Sequence, residues 1–124
     1  MTQPLALVFY ERLMPGSQFV NRLQDLGYRV QHIADPKIFA ECAEHEKPLL
    51  LLVDLESSNQ NICEIIARLK RNPATKHLPI ISFAANDKTV LQAAALQAGA
   101  TLAVGETVAA SHLAQLLEQA LQVE

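Results

Sequence analysis

The sequence predicts an α/β protein of the (βα)5 type, a doubly wound parallel sheet of five strands with helices on both faces. Three observations predict it. Short apolar runs alternate with amphipathic stretches along the whole chain, the pattern of parallel strands joined by helices. The apolar runs are continuous rather than alternating, as in strands buried on both faces, and Leu49-Leu50-Leu51-Leu52-Val53 is the clearest of them. That run leads straight into a lone acid, Asp54, and then into the polar stretch Glu56-Ser57-Ser58-Asn59-Gln60-Asn61. The carboxyl end of a parallel strand is where open α/β sheets place their chemistry, so Asp54 is the first candidate for function.

The elements follow in order. The first strand is Leu5 to Phe9, and a helix from Ser17 to Leu26 stops at Gly27, a residue that tolerates the left-handed conformation at a helix end. Strand two is Arg29 to Ile33. Asp35-Pro36 then supplies an N-cap and a proline for the first turn of a helix that runs to Glu46, where Lys47-Pro48 ends it. Strand three is Leu49 to Val53, and the third helix, Asn61 to Arg71, closes at Asn72-Pro73. Pro79 introduces strand four, Ile80 to Phe83; helix four spans Asp87 to Ala98 and ends at Gly99. Strand five is Thr101 to Val104. A last helix, Thr107 to Leu121, carries Leu113, Leu116, Leu117, Ala120 and Leu121 along one face.

Composition narrows the function classes. At 124 residues, 50% of them hydrophobic, the chain is the size of one domain, 1–124, with a proper core. Its net charge is -3 and its basic residues are spread out, so it lacks a nucleic-acid footprint. Cys42 and Cys63 form no CxxC pair and read as reduced thiols of a cytoplasmic protein. The start, Met1-Thr2-Gln3-Pro4, carries no basic region, and the apolar run after it is only a strand long, so neither a signal peptide nor a membrane span is expected. His32, His45, His77 and His112 lie on different elements without metal-ligand spacing. Ser57 and Ser58 lack a GxSxG elbow, and Gly16, Gly27, Gly99 and Gly105 form no phosphate-cradling loop.

Leu26-Gly27, Asp54, Leu78-Pro79-Ile80-Ile81 through Ala84-Ala85, and Gln97-Ala98-Gly99-Ala100 fall in a spacing that resembles a receiver domain of bacterial two-component signalling, the flavodoxin-like fold of the chemotaxis response regulator. The resemblance covers nearly the whole chain and places Asp54 at the phospho-acceptor position. It also implies a set of helpers that the sequence mostly lacks. An acidic pair after strand one would hold Mg²⁺, which neutralises charge during in-line transfer; the matching positions are Tyr10 and Glu11. A hydroxyl at the end of strand four is replaced by Ala84, and Ser82, one pleat deeper by roughly 6 to 7 Å, is a poor substitute. The lysine that pairs with the phosphoryl oxygens corresponds to Glu106 and the proline after it to Thr107; the aromatic switch position is Ala103.

A unit charge pair near 4 Å is worth about 4 kcal/mol at an effective dielectric of about 20, so exchanging a lysine for a glutamate removes an attraction toward a phosphoryl dianion and adds a repulsion. At about 1.4 kcal/mol per tenfold, that costs several decades in rate. The chain therefore reads as a degenerate receiver, a pseudo-receiver without catalytic activity. Three functions follow from different classes. The leading one is a signalling module that acts by phosphorylation-independent protein–protein interaction. The second is a genuine phospho-acceptor that takes a phosphoryl group on Asp54 from a histidine kinase. The third is weak Mg²⁺ or small-ligand sensing by an acidic edge of Glu11, Asp54, Glu56 and Glu106, with Glu11 and Asp54 as the metal ligands.

The interaction reading has a surface to go with it. From Thr89 to Gly105 there is no ionic residue, and helix four, rich in Ala and Gln, is bland for a solvated helix. Val90, Leu91, Ala94, Ala95, Ala98, Ala103 and Val104 are the expected face, for a homodimer or a signalling partner. The chain fits a stand-alone regulator and an N-terminal receiver module equally well.

Overall fold

The computed structural model describes residues 4–10, 13–56 and 62–122. In chain order the elements are β1 (Leu5–Phe9), α1 (Leu13–Asp25), β2 (Arg29–Ile33), α2 (Pro36–Glu46), β3 (Leu50–Asp54), α3 (Ile62–Arg71), β4 (Ile80–Ala84), α4 (Thr89–Ala98), β5 (Leu102–Gly105), α5 (Glu106–Ser111) and α6 (Leu113–Gln122). The strands form one five-stranded parallel sheet in the order β2-β1-β3-β4-β5. The connections reverse direction between β1 and β3. This is the switch point of a doubly wound sheet, where a crevice opens at the carboxyl ends of the strands.

Two hydrophobic clusters lie on opposite faces of the sheet. Leu7, Phe9, Leu51 and Val53 meet Phe39, Ile62, Ile66, Leu69 and Ala95 from α2, α3 and α4. Ala6, Val8, Leu50, Leu52 and Phe83 meet Phe19 and Leu23 from α1 and Ala109, Leu113, Leu116 and Leu117 from α5 and α6. Every residue of β1, β3 and β4 is buried, which is why these strands read as unbroken apolar runs.

Helix ends follow their local chemistry. Gly27 takes a left-handed φ of 93°, and Tyr28 N–H reaches back to the Leu23 carbonyl at 3.0 Å, closing α1. Between α3 and β4 the chain is held by side chains. Thr75 Oγ1 donates to the Leu69 carbonyl at 2.6 Å, and Lys70 Nζ donates to the carbonyls of Lys76 and Leu78 at 3.1 and 3.0 Å. Burial lowers the Lys70 pKa below its ordinary value.

The expected elements are all present, with corrections to several bounds. The first helix begins at Leu13, not Ser17: Pro15 looks like a breaker but is compatible with a first turn, where its missing N–H has no partner to lose. Strand three is displaced by one residue, to Leu50–Asp54, because Asp54 still pairs with Phe83. Strand four extends by one residue, to Ala84, and strand five is displaced by one, to Leu102–Gly105, so that Ala84 and Gly105 pair with each other; helix four begins at Thr89 rather than Asp87, after the turn at Ala85–Lys88. The last helix is two, divided at His112 (φ −123°, ψ 26°), although His112 N–H still reaches Val108 and Leu116 N–H reaches His112. Thr107, Val108 and Ser111 before the break are weaker helix formers than the Leu, Ala and Gln run after it.

Candidate functional site at the carboxyl edge of the sheet

Asp54 closes β3 at the switch point and is 1% exposed. Strand alternation puts it on the face of Leu50 and Leu52, toward α1, α5 and α6. Its Oδ1 accepts the Glu56 N–H at 2.9 Å, an Asx turn that bends the chain out of the sheet. That turn brings the Glu56 carboxylate to the neighbouring strand, where Oε2 accepts the Ala85 N–H at 2.7 Å. The ends of β3 and β4 are thus fastened by one charge-assisted hydrogen bond.

The other predicted positions confirm an edge that is occupied from within. Tyr10, next after β1, is buried with its ring stacked on His32, centroids 3.8 Å apart and planes 17° from parallel. His32 Nε2–H donates to the Tyr10 carbonyl at 3.0 Å, and burial raises the Tyr10 phenol above its ordinary pKa. Ala84 is fully buried among the α2, α3 and α4 side chains. Ser82 Oγ donates to the Leu102 carbonyl at 3.0 Å and so is committed to β5. Glu106 is half-buried in the first turn of α5, a place where the helix dipole favours a carboxylate. Glu11 and residues 57–61 lie outside the described residues.

One residue that the sequence did not single out completes the edge. Asn86, after β4, donates through Nδ2 to Thr107 Oγ1 at 2.7 Å and accepts the Thr107 N–H on Oδ1 at 3.2 Å. Gly105 makes room for it, because a Cβ there would overlap Asn86 Oδ1 and lie 3.2 Å from its Cα. The only signal in the sequence is one polar residue after β4 and another in the first turn of α5, and it appears once the strand order is known.

Of the two metal ligands expected from the sequence, Glu11 and Asp54, Glu11 lies outside the described residues. Asp54 Oδ1 and Glu56 Oε2 both take backbone N–H donors, and Tyr10 stands where a second carboxylate is expected. Among the described residues no three His, Cys, Asp or Glu side chains are grouped to hold a metal ion. The histidines are all exposed and on separate elements. Cys42 and Cys63 are half-buried free thiols. Burial raises both above the ordinary thiol pKa, with Glu46 and Glu41 adding to the effect at Cys42.

The expected interaction face is divided. Ala95 is fully buried and belongs to the core, because it is the α4 residue turned toward the sheet. Leu91, Ala98 and Ala103 pack partly against the same cluster, and Val104 packs against the opposite one. Ala94 is half-buried. Val90, 81% exposed, stands out on the solvent side, with Leu96 and Val108 also exposed.

No family model matches the chain, and no curated protein matches its sequence. Its structure is similar to that of a protein described as a response regulator from Chloroflexus aurantiacus J-10-fl, with a TM-score of 0.89, 19% identity, and 97% of this chain and 98% of that one covered. It is similar to the receiver domain of sensor histidine kinase PA1611 from Pseudomonas aeruginosa PAO1, which has a magnesium ion coordinated in its active site cleft; the TM-score is 0.86, identity 20%, coverage 97% and 98%. It is also similar to the chemotaxis response regulator CheY4 of Vibrio cholerae, with a TM-score of 0.84, 18% identity, and 97% and 100% of the two chains covered. Among the described residues no helix is long and apolar enough to cross a membrane. The sheet order, the helices on its two faces and these likenesses together give the chain the fold of a response-regulator receiver domain.

Proposed function

We propose that the chain is a non-catalytic, receiver-like module of cytoplasmic signalling that acts by phosphorylation-independent protein–protein interaction. The observation that carries this reading is the content of the site: beside Asp54, the positions for a second carboxylate, a hydroxyl and a lysine hold Tyr10, Ala84 and Glu106. Phosphoryl transfer is almost entirely positioning and charge neutralisation, and these side chains supply neither. Asp54 itself is buried and already accepts a hydrogen bond.

The test is intact-mass spectrometry after incubation with acetyl phosphate and Mg²⁺, with Asp54→Asn as control. The expected result is no phosphoryl adduct on either protein. An adduct on the natural chain that the control lacks would overturn the reading and make Asp54 a working acceptor for a histidine kinase.

The interacting surface is placed on the exposed side of α4, where Val90, Ala94 and Leu96 offer a face without charge beside β5. Val90→Glu is expected to weaken self-association, read by sedimentation equilibrium, by about tenfold or more. Its melting temperature should stay within about 2 °C of the parent, since an exposed substitution changes stability little. Equal association of the two proteins would remove this face from the proposal.

A further inference from the structure

We propose that Glu56 and Asn86 form a single latch that fixes the carboxyl ends of β3, β4 and β5 in one arrangement. The inference rests on the phosphorylation-independent reading above and says how such a module holds one state.

The connection can be followed bond by bond. Asp54 Oδ1 holds the Glu56 N–H at 2.9 Å and so sets the turn after β3. Glu56 Oε2 takes the Ala85 N–H, the first amide beyond β4, at 2.7 Å. The next residue, Asn86, bonds Thr107 with both ends of its carboxamide, Nδ2 to Oγ1 at 2.7 Å and Oδ1 from N–H at 3.2 Å. The opposite orientation of the carboxamide would set its NH₂ against the Thr107 N–H, so the pair admits one arrangement. Ala85 and Asn86 are adjacent on one backbone. A bond that orients the Ala85 peptide therefore also orients the Asn86 side chain, and the two bridges are expected to act together.

The consequence is a site that is already satisfied. Among the described residues no buried side-chain nitrogen or oxygen lacks a hydrogen-bond partner. An anion approaching the end of β4 meets an amide that already serves a carboxylate and would have to displace it. The strand ends are joined without a ligand, so no ligand is needed to join them.

Amide hydrogen exchange by NMR tests this in the whole chain. In Glu56→Ala the amides of Ala85 and Thr107 should both exchange about 10- to 100-fold faster than in the parent, while core amides of β1 and β3 keep their rates. Glu56→Gln retains an acceptor oxygen without the charge, and should give a smaller rise at both amides; it carries the test if the alanine variant does not fold. A rise at Ala85 alone, or at neither amide, would overturn the latch. The two readings fail separately. Unchanged exchange with no acetyl phosphate adduct removes the latch and leaves the interaction module, whereas an adduct on Asp54 with coupled exchange removes the interaction module and leaves the latch as a brace.

Discussion

Phe83→Ala is expected to lower the unfolding free energy by about 3–5 kcal/mol and the melting temperature by about 10–20 °C. Phe83 is fully buried, lies opposite Asp54 in the β3–β4 ladder, and meets Phe19 of α1 with ring centroids 4.4 Å apart at 48°. Truncation removes the transfer energy of the ring and leaves a cavity between the sheet and α1. The surrounding side chains come from a sheet and three separate helices and collapse only in part. Urea titration measures the effect, with an unchanged slope showing that the cooperative unit is intact. Phe83→Leu, which keeps most of the volume, should cost about 1–2 kcal/mol. A loss below about 1.5 kcal/mol for the alanine variant would mean that Phe19 moves into the vacated space and that the ring pair is not what supports the strand beneath Asp54.

Gly105→Ala is expected to cost about 2–3 kcal/mol, for a reason unrelated to glycine's backbone freedom. Gly105 has φ −74° and ψ 156°, an ordinary extended conformation open to any residue. The obstacle is Asn86, whose Oδ1 an added Cβ would overlap and whose Cα it would approach to 3.2 Å. The carboxamide can leave only by giving up both bonds to Thr107, each worth about 0.5–1.5 kcal/mol, and overpacking adds to that. Asn86→Ala alone should cost about 1–2 kcal/mol. In the double variant the steric conflict is relieved, so the sum should fall short of additivity by at least about 1 kcal/mol. Additive losses in chemical denaturation would show that Gly105 and Asn86 do not meet.

How much of this was legible in the sequence depends on the kind of interaction. β1, β2 and α2 fall within the expected bounds because Gly27, Asp35-Pro36 and Lys47-Pro48 punctuate them with strong local signals. The start of α1 was obscured by Pro15-Gly16, which reads as a breaker and is tolerated in a first turn. Ala95 was misplaced on the exposed face because Ala and Leu recur all round α4, and a helix without a polar stripe does not announce which side is inward. Asp54 was legible as the end of a buried run, and Tyr10, Ala84 and Glu106 as what accompanies it. The bonds from Glu56 to Ala85 and from Asn86 to Thr107 were not, since each joins residues far apart in the chain and exists only once β3, β4 and β5 are neighbours. Those contacts belong to tertiary structure, and no local propensity encodes them.

The sheet's two outer strands carry unequal protection. β2 presents Arg29, Gln31 and His32 along its length, and a charged and polar rim discourages another chain from adding its backbone there. β5 is Leu102-Ala103-Val104-Gly105, half-buried throughout and without a charge of its own. It is short, which limits the damage, but it is the rim on which unpaired amides and carbonyls stand next to apolar side chains. The β5 edge is therefore the less guarded of the two against the backbone of another chain.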